Sequence, residues 1–287
     1  MLELEHMITD QETNLVYFSD FLPKRHSAFF KELKEILERK RIKYGLLPHT
    51  KDIWCRDYMP VQVSKSHFVQ FKYDPEYLHT RKYIKTITDA ADTCKEIGVK
   101  PESSDIKIDG GNVVRSRTKA IMTERIFLEN PHYPRKKLLG KLRMLLKVKQ
   151  VIIIPECPGD PYGHADGMIR FREGAYDESA VLVNDYSRES PKFFSKFHRA
   201  LSKAGLVSLL LPYNPYRNKD NVDGRGIYIN YLRIGRFIIY PLYGLKEDKA
   251  ARIRFFGCFG SDAIPIRANR IAKKGGVLNC VSWDIVK

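Results

Sequence analysis

Cys280 is the strongest candidate nucleophile in this chain. It ends the run Gly275-Gly276-Val277-Leu278-Asn279-Cys280, seven residues before the C-terminus. Two glycines allow close backbone approach, and a short apolar segment holds a thiol still. The same setting also suits a small core residue. Three upstream motifs supply partners for chemistry: Trp54-Cys55-Arg56-Asp57, Asp109-Gly110-Gly111-Asn112 and Gly163-His164-Ala165-Asp166-Gly167. Together they bring three carboxylates and a histidine in turn-like surroundings, the inventory of a cysteine enzyme that acts on a cation.

Each motif suggests a role and also has a plainer explanation. Trp54 can stack on a planar cation and Asp57 can accept two of its hydrogen bonds, whereas Arg56 suits a structural contact. A core tryptophan beside a surface ion pair would explain the same tetrapeptide. His164 and Asp166 are two residues apart, so an extended backbone turns both side chains to one face. That pair could be half of a metal site, but no second histidine cluster completes it, and neither a metal nor an organic cofactor is expected. Asp109 opens a glycine turn that needs no function, yet a proton-shuttling histidine requires an orienting partner on its other ring nitrogen.

These residues lie far apart in sequence, so the elements between them must bring them together. No linker or composition break divides the chain, and residues 1–287 read as one domain. Amphipathic stretches are expected to begin near residues 24, 79, 135, 191 and 247, and the apolar residues Leu33, Ile87, Leu142, Phe197 and Ile253 step by 54 to 56. Short apolar runs follow as strands around Leu46-Leu47, Val151 to Ile154, Leu206 to Leu211 and Ala263 to Ile266, with a weaker one at Ile106 and Ile108. Further strands are expected at Phe68 to Tyr73, Ala120 to Thr123, Ala180 to Asn184, Ile227 to Leu232 and Phe237 to Tyr240. Asp57, Asp109, His164, the segment from Asp223 to Asn230, and Cys280 each follow one helix at a similar distance. A fivefold αβ array would gather them at one end. Polar turns fall in register in any repeat protein, but that does not account for a histidine and a cysteine as well.

Composition sets the remaining bounds. No run matches a signal peptide or approaches the roughly 20 apolar residues of a membrane span, so a soluble cytoplasmic protein is expected. Five scattered cysteines without a CxxC pair indicate free thiols in a reducing compartment. Fifty Lys and Arg against 34 Asp and Glu leave a net charge of +16. The basic residues read as spread through the helical segments, which favours a solvated basic surface over nucleic-acid binding. A homo-oligomer is compatible with the pattern.

The ordered set of WCRD, DGGN, GHADG, Tyr228-Ile229-Asn230 and the GGxxNC tail resembles the family of agmatine deiminases and bacterial, Porphyromonas-type peptidyl-arginine deiminases over nearly the whole chain. The resemblance implies the α/β pentein fold, a fivefold pseudosymmetric propeller of αβ repeats, in agreement with the period above. It implies that Asp57 and Asp166 clamp a guanidinium, that Cys280 attacks it, that His164 serves as general acid and base with Asp109 beside it, and that Asn230 lines the site. Asp109 stands where the family often has glutamate. Asn279 replaces a common histidine, Val281-Ser282 replaces a common threonine-glutamine, and the chain is shorter than typical agmatine deiminases. The expected activity is hydrolysis of a small guanidine, foremost agmatine to N-carbamoylputrescine and ammonia, through an amidino-cysteine. The competing expectations are deimination of peptidyl-arginine or free arginine, amidino transfer, or a basic binding protein that has lost catalysis.

Overall fold

A computed structural model describes residues 6–172 and 178–287. Its strands form five three-stranded sheets of one design. In each, a short inner strand runs antiparallel to a middle strand, and an outer strand runs parallel to that middle strand on its other side. Four sheets use consecutive stretches of chain: Val61–Gln62, Phe68–Lys72 and Glu102–Lys107; Val114–Arg115, Lys119–Thr123 and Gln150–Ile154; Ile169–Phe171, Ala180–Asn184 and Val207–Leu211; Leu232–Ile234, Phe237–Leu242 and Ala263–Arg267. The remaining sheet joins the two ends of the chain, because Leu15–Ser19 pairs with Lys43–Leu47 on one side and with Ser282–Ile285 on the other. Five-part pseudosymmetry is therefore completed by the strand that immediately follows Cys280.

Between the middle and outer strands of each unit the chain crosses over through a helix, as parallel pairing requires. Pro191–Lys203 shows why these helices form where they do. Ser190 Oγ accepts a hydrogen bond from the Phe193 backbone N–H at 3.3 Å, Pro191 occupies the first turn, and Phe193, Phe197 and Leu201 form the buried stripe. Helices Ser27–Arg39 and Arg135–Leu145 likewise bury Leu33 and Leu142. The apolar core is divided into clusters between helices and sheets, each mixing neighbouring units.

Three expected features differ in the structure. The second crossover helix is Ala90–Glu96, not a helix from residue 79, and Ile87 is extended just before it. Ile84, Thr86, Ile87 and Thr88 crowd β-branched side chains that resist a helix, while the Asp89 carboxylate caps the later start by accepting from Ala91 N–H at 2.9 Å. In Asp248–Phe259 the buried residues are Ala251 and Phe255, the latter stacked on Tyr240 at 4.1 Å. Ile253 lies two residues from both, on the opposite face, and is 64% exposed. The strand expected from Ile227 covers only Leu232–Ile234, because the Asn230 carbonyl accepts from Leu278 N–H at 3.2 Å and Asn279 N–H at 3.4 Å. That backbone serves to dock the Cys280 turn.

Candidate active site

Every inner strand is preceded by a compact segment that carries one motif. The short helix Cys55–Tyr58 holds Asp57, and the single turns Gly110–Asn112 and Ala165–Gly167 follow Asp109 and hold Asp166. The buried segment 228–231 holds Asn230, and the turn before Ser282–Ile285 holds Cys280. The equal position of these segments in their units brings their side chains together.

His164 is the hub. Its Nε2 lies 3.0 Å from Asp109 Oδ2 and its Nδ1 lies 3.6 Å from Asp57 Oδ1. Asp57 Oδ1 also accepts the Gly111 backbone N–H at 3.1 Å. A Cβ on Gly111 would fall 2.7 Å from Asp57 Oδ1 and 2.8 Å from His164 Nδ1, so the DGGN glycine is needed for close approach. Burial opposes a charge on His164, but Asp57, Asp109 and Asp166 outweigh it and raise its pKa to about 10. Burial, reinforced by Asp109 and Asp166, raises the Asp57 carboxyl against the pull of His164.

Cys280 sits across from this pair. Its Sγ is 3.4 Å from Asn230 Oδ1 and 3.8 Å from Asp166 Oδ2. The same Asn230 oxygen accepts the backbone N–H groups of Asn279 at 3.1 Å and Cys280 at 3.3 Å, which fixes the turn that aims the thiol. Gly276 is again a requirement of space, since a Cβ there would stand 2.6 Å from the Trp54 ring and 3.0 Å from Cys280 Sγ. Burial and the charges of Asp166 and Asp57 push the thiol well above its ordinary range. The resting site therefore pairs a neutral thiol with a charged imidazole.

Asp166 Oδ2 accepts from Asn230 Nδ2 at 3.1 Å and from Asn279 Nδ2 at 2.6 Å. Asn279, read from sequence only as a departure from the family pattern, thus holds a proposed clamp carboxylate in place. Tyr77 is a second residue that sequence reasoning missed: its hydroxyl donates to Asp109 Oδ2 at 2.6 Å from a separate loop, and no motif marks it. Arg56 turns away from the site to pair with Asp284, and its Nε donates to the Asn279 carbonyl at 3.4 Å. Cys55 is buried with Sγ 3.1 Å from the Val281 carbonyl oxygen.

A cleft of about 240 Å³ opens over Cys280, His164, Asp166 and Asn230. Asp57 and Asp109 flank His164, one on each ring nitrogen, and Trp54 abuts Gly276 at the edge of the site. Farther out the cleft is lined by Tyr162, Tyr213 and the acidic residues Asp160, Glu189, Asp220 and Asp223; no Lys or Arg belongs to the described lining.

Known proteins share this fold. The chain is 23% identical to a Photobacterium profundum protein named "Putative agmatine deiminase" over 280 residues, covering 83% of this chain and 76% of that one. It superimposes on the agmatine deiminase of C. jejuni with a TM-score of 0.76 at 19% identity, covering 98% of this chain and 96% of the other. An amidinotransferase of the saxitoxin pathway from Microseira wollei matches with a TM-score of 0.60 at 13% identity, over 99% and 97% of the two chains, so the fold is the pentein fold. A family model of the Porphyromonas-type peptidyl-arginine deiminases matches residues 6–285, and the chain belongs to that family.

Proposed function

We propose that this protein hydrolyses a small guanidine whose far end is cationic, agmatine foremost, to the ureido product and ammonia. The observation that carries the choice of substrate is the cleft lining, with Asp160, Glu189 and Asp220 beyond the reactive cluster, Asp223 there already paired with Arg225, and no described Lys or Arg in the lining itself. An amine finds partners there. The α-carboxylate of free arginine finds none and meets like charge.

A guanidinium is resonance-stabilised and a poor electrophile. Charge-assisted bonds to Asp57 and Asp166 localise its positive charge and orient the central carbon toward Cys280. The arriving cation offsets the carboxylates that hold the thiol neutral, so substrate binding itself promotes thiolate formation, the Cys280 proton leaving to solvent because His164 is already charged. The thiolate attacks the central carbon to give a tetrahedral adduct. His164, charged at rest, donates a proton to the departing ammonia, leaving an amidino-cysteine. The now neutral His164 takes a proton from water as that water attacks the same carbon, and on collapse the new hydroxyl's proton passes to sulfur as the carbon–sulfur bond breaks, releasing the ureido product and restoring the Cys280 thiol. Asp109 holds the imidazole through both steps, and Asn230 holds the thiol.

The test is ammonia release from agmatine, free arginine and an arginine peptide blocked at both ends. Agmatine is expected to exceed the others in kcat/KM by at least 100-fold, with an adduct of agmatine minus ammonia on Cys280 trapped by acid quench and mass spectrometry. Preference for free arginine would overturn the assignment of the acidic end, and turnover without any Cys280 adduct would overturn the covalent route.

A further inference from the structure

The positive charge of the chain is concentrated. Residues 130–155 and 190–219 contain thirteen Lys and Arg and no Asp or Glu, and the other 231 residues carry 37 basic against 34 acidic side chains, a net of only +3. In sequence these stretches look like two unrelated helical segments, but in the fold they are neighbours. Strand Gln150–Ile154 lies between helices Arg135–Leu145 and Pro191–Lys203. Its Val151 and Ile153 pack with Leu138, Leu142 and Leu146, while Ile152 and Ile154 pack with Phe193, Phe197 and Leu201. That strand is the outer edge of its sheet, so the two basic helices flank one sheet edge from its two sides. Lys136, Lys137 and Arg143 are exposed on the first, Lys192, Arg199 and Lys203 on the second, and Lys149 at the entry to the strand. Lys141 and Lys196 reach carboxylates from other segments, Asp105 and Glu124.

We propose that this pair of helices is a docking surface for the phosphate backbone of nucleic acid, bound without regard to sequence. Closely set lysines and arginines on one surface bind a phosphate backbone by releasing its condensed counterions, which needs no base contacts. An anionic membrane fits less well. An interfacial helix must offer a whole apolar face to the bilayer, and here Leu138 and Leu142 of one helix and Phe193, Phe197 and Leu201 of the other are already buried, leaving Met144 and Phe194 as their large exposed apolar side chains. None of these basic residues lines the catalytic cleft, so docking and turnover are separable.

The test is fluorescence anisotropy of the full chain with a labelled 20-base-pair DNA duplex from 50 to 200 mM salt, beside flotation with vesicles of phosphatidylcholine and phosphatidylserine. For about four phosphates contacted, affinity should fall about 100-fold across that range. The variants Lys136→Gln/Lys137→Gln/Arg143→Gln and Lys192→Gln/Arg199→Gln/Lys203→Gln should each lose at least tenfold in affinity at 50 mM salt and show a shallower salt slope. The variant Lys31→Gln/Lys34→Gln/Arg39→Gln removes equal charge from exposed positions of helix Ser27–Arg39 and should change affinity less than twofold. Thermal melts of all three verify folding. Equal losses in all three variants, no binding of the duplex at 50 mM salt, or binding to vesicles in place of the duplex would each overturn the proposal.

Discussion

Two buried polar clusters share Asp166 and Asn279, and they balance charge in opposite ways. On the reactive side Asp57, Asp109 and Asp166 surround one imidazole, His164. On the other side Arg56, Arg115 and Arg170 are tied to Asp10 and Asp284: Arg115 bonds Asp284 Oδ2 at 2.6 Å and Asp10 Oδ1 at 2.9 Å, Arg56 pairs with Asp284, and Arg170 pairs with Asp10. A cavity of about 20 Å³ lined by Asp10, Arg56, Arg115, Asp166, Arg170 and Asn279 separates them. The ion-paired cluster sets three guanidiniums against two carboxylates and serves as a floor. The reactive cluster sets three carboxylates against one imidazole, an excess of negative charge that a guanidinium would offset. Buried charge is costly unless paired, so the difference separates a structural network from a binding site.

The largest expected effect is at the thiol. Cys280→Ser should abolish ammonia release while the melting temperature stays within a few degrees of wild type, because the hydroxyl is similar in size and a far weaker nucleophile at neutral pH. Cys55→Ser, Cys94→Ser, Cys157→Ser and Cys258→Ser should each keep most of the activity.

The next two substitutions set the clusters against each other. Asp284→Asn removes a charge shared by Arg56 and Arg115 and should cost about 3–5 kcal/mol of stability, read from chemical denaturation. Asp166→Asn keeps the shape beside Asn230 and Asn279 but loses the guanidinium's counter-charge. It should cost about 1.5–3 kcal/mol in kcat/KM and leave stability within about 1 kcal/mol of wild type. A strongly destabilised Asp166→Asn, or an Asp284→Asn as stable as wild type, would erase the distinction between site and floor.

The sequence showed more of the reactive cluster than of its supports, for a physical reason. Asp57, Asp109, His164, Asp166 and Cys280 sit in turns whose glycines are forced by close approach, as at Gly111 and Gly276, so motif and chemistry coincide. Leu33, Leu142 and Phe197 marked the helices because their faces are buried with a clear period. Ile253 did not, because Phe255 stacking on Tyr240 sets which face of that helix is buried. Asn279 and Tyr77 act through single hydrogen bonds across 113 and 32 residues of sequence, and such contacts leave no local pattern. The acid-free basic stretches 130–155 and 190–219 are legible in the sequence but read there as charge spread through the helices; that they flank one sheet edge shows only in the fold, with strand Gln150–Ile154 between their helices.

The smallest expected effect concerns Tyr77. Its hydroxyl and His164 Nε2 share Asp109 Oδ2, so the phenol withdraws negative charge that would otherwise hold the proton of His164. Because the folded-state pKa of His164 lies above its ordinary value of 6.5, its contribution to stability is complete below about pH 6.5. That contribution is lost as pH rises toward about 10. In Tyr77→Phe, Asp109 turns its full charge on the imidazole, and the proton stays to higher pH. One lost hydrogen bond to a carboxylate, about 1 kcal/mol, corresponds to about 0.7 pH unit. The alkaline limb of kcat/KM for agmatine, where the protonated imidazole is the required acid, should move up by that amount. Tyr133→Phe is the control, since its hydroxyl bonds the exposed Asp105 and should leave the limb where it is. If both variants lower kcat/KM with the limb unmoved, Tyr77 only packs the loop and does not tune the acid.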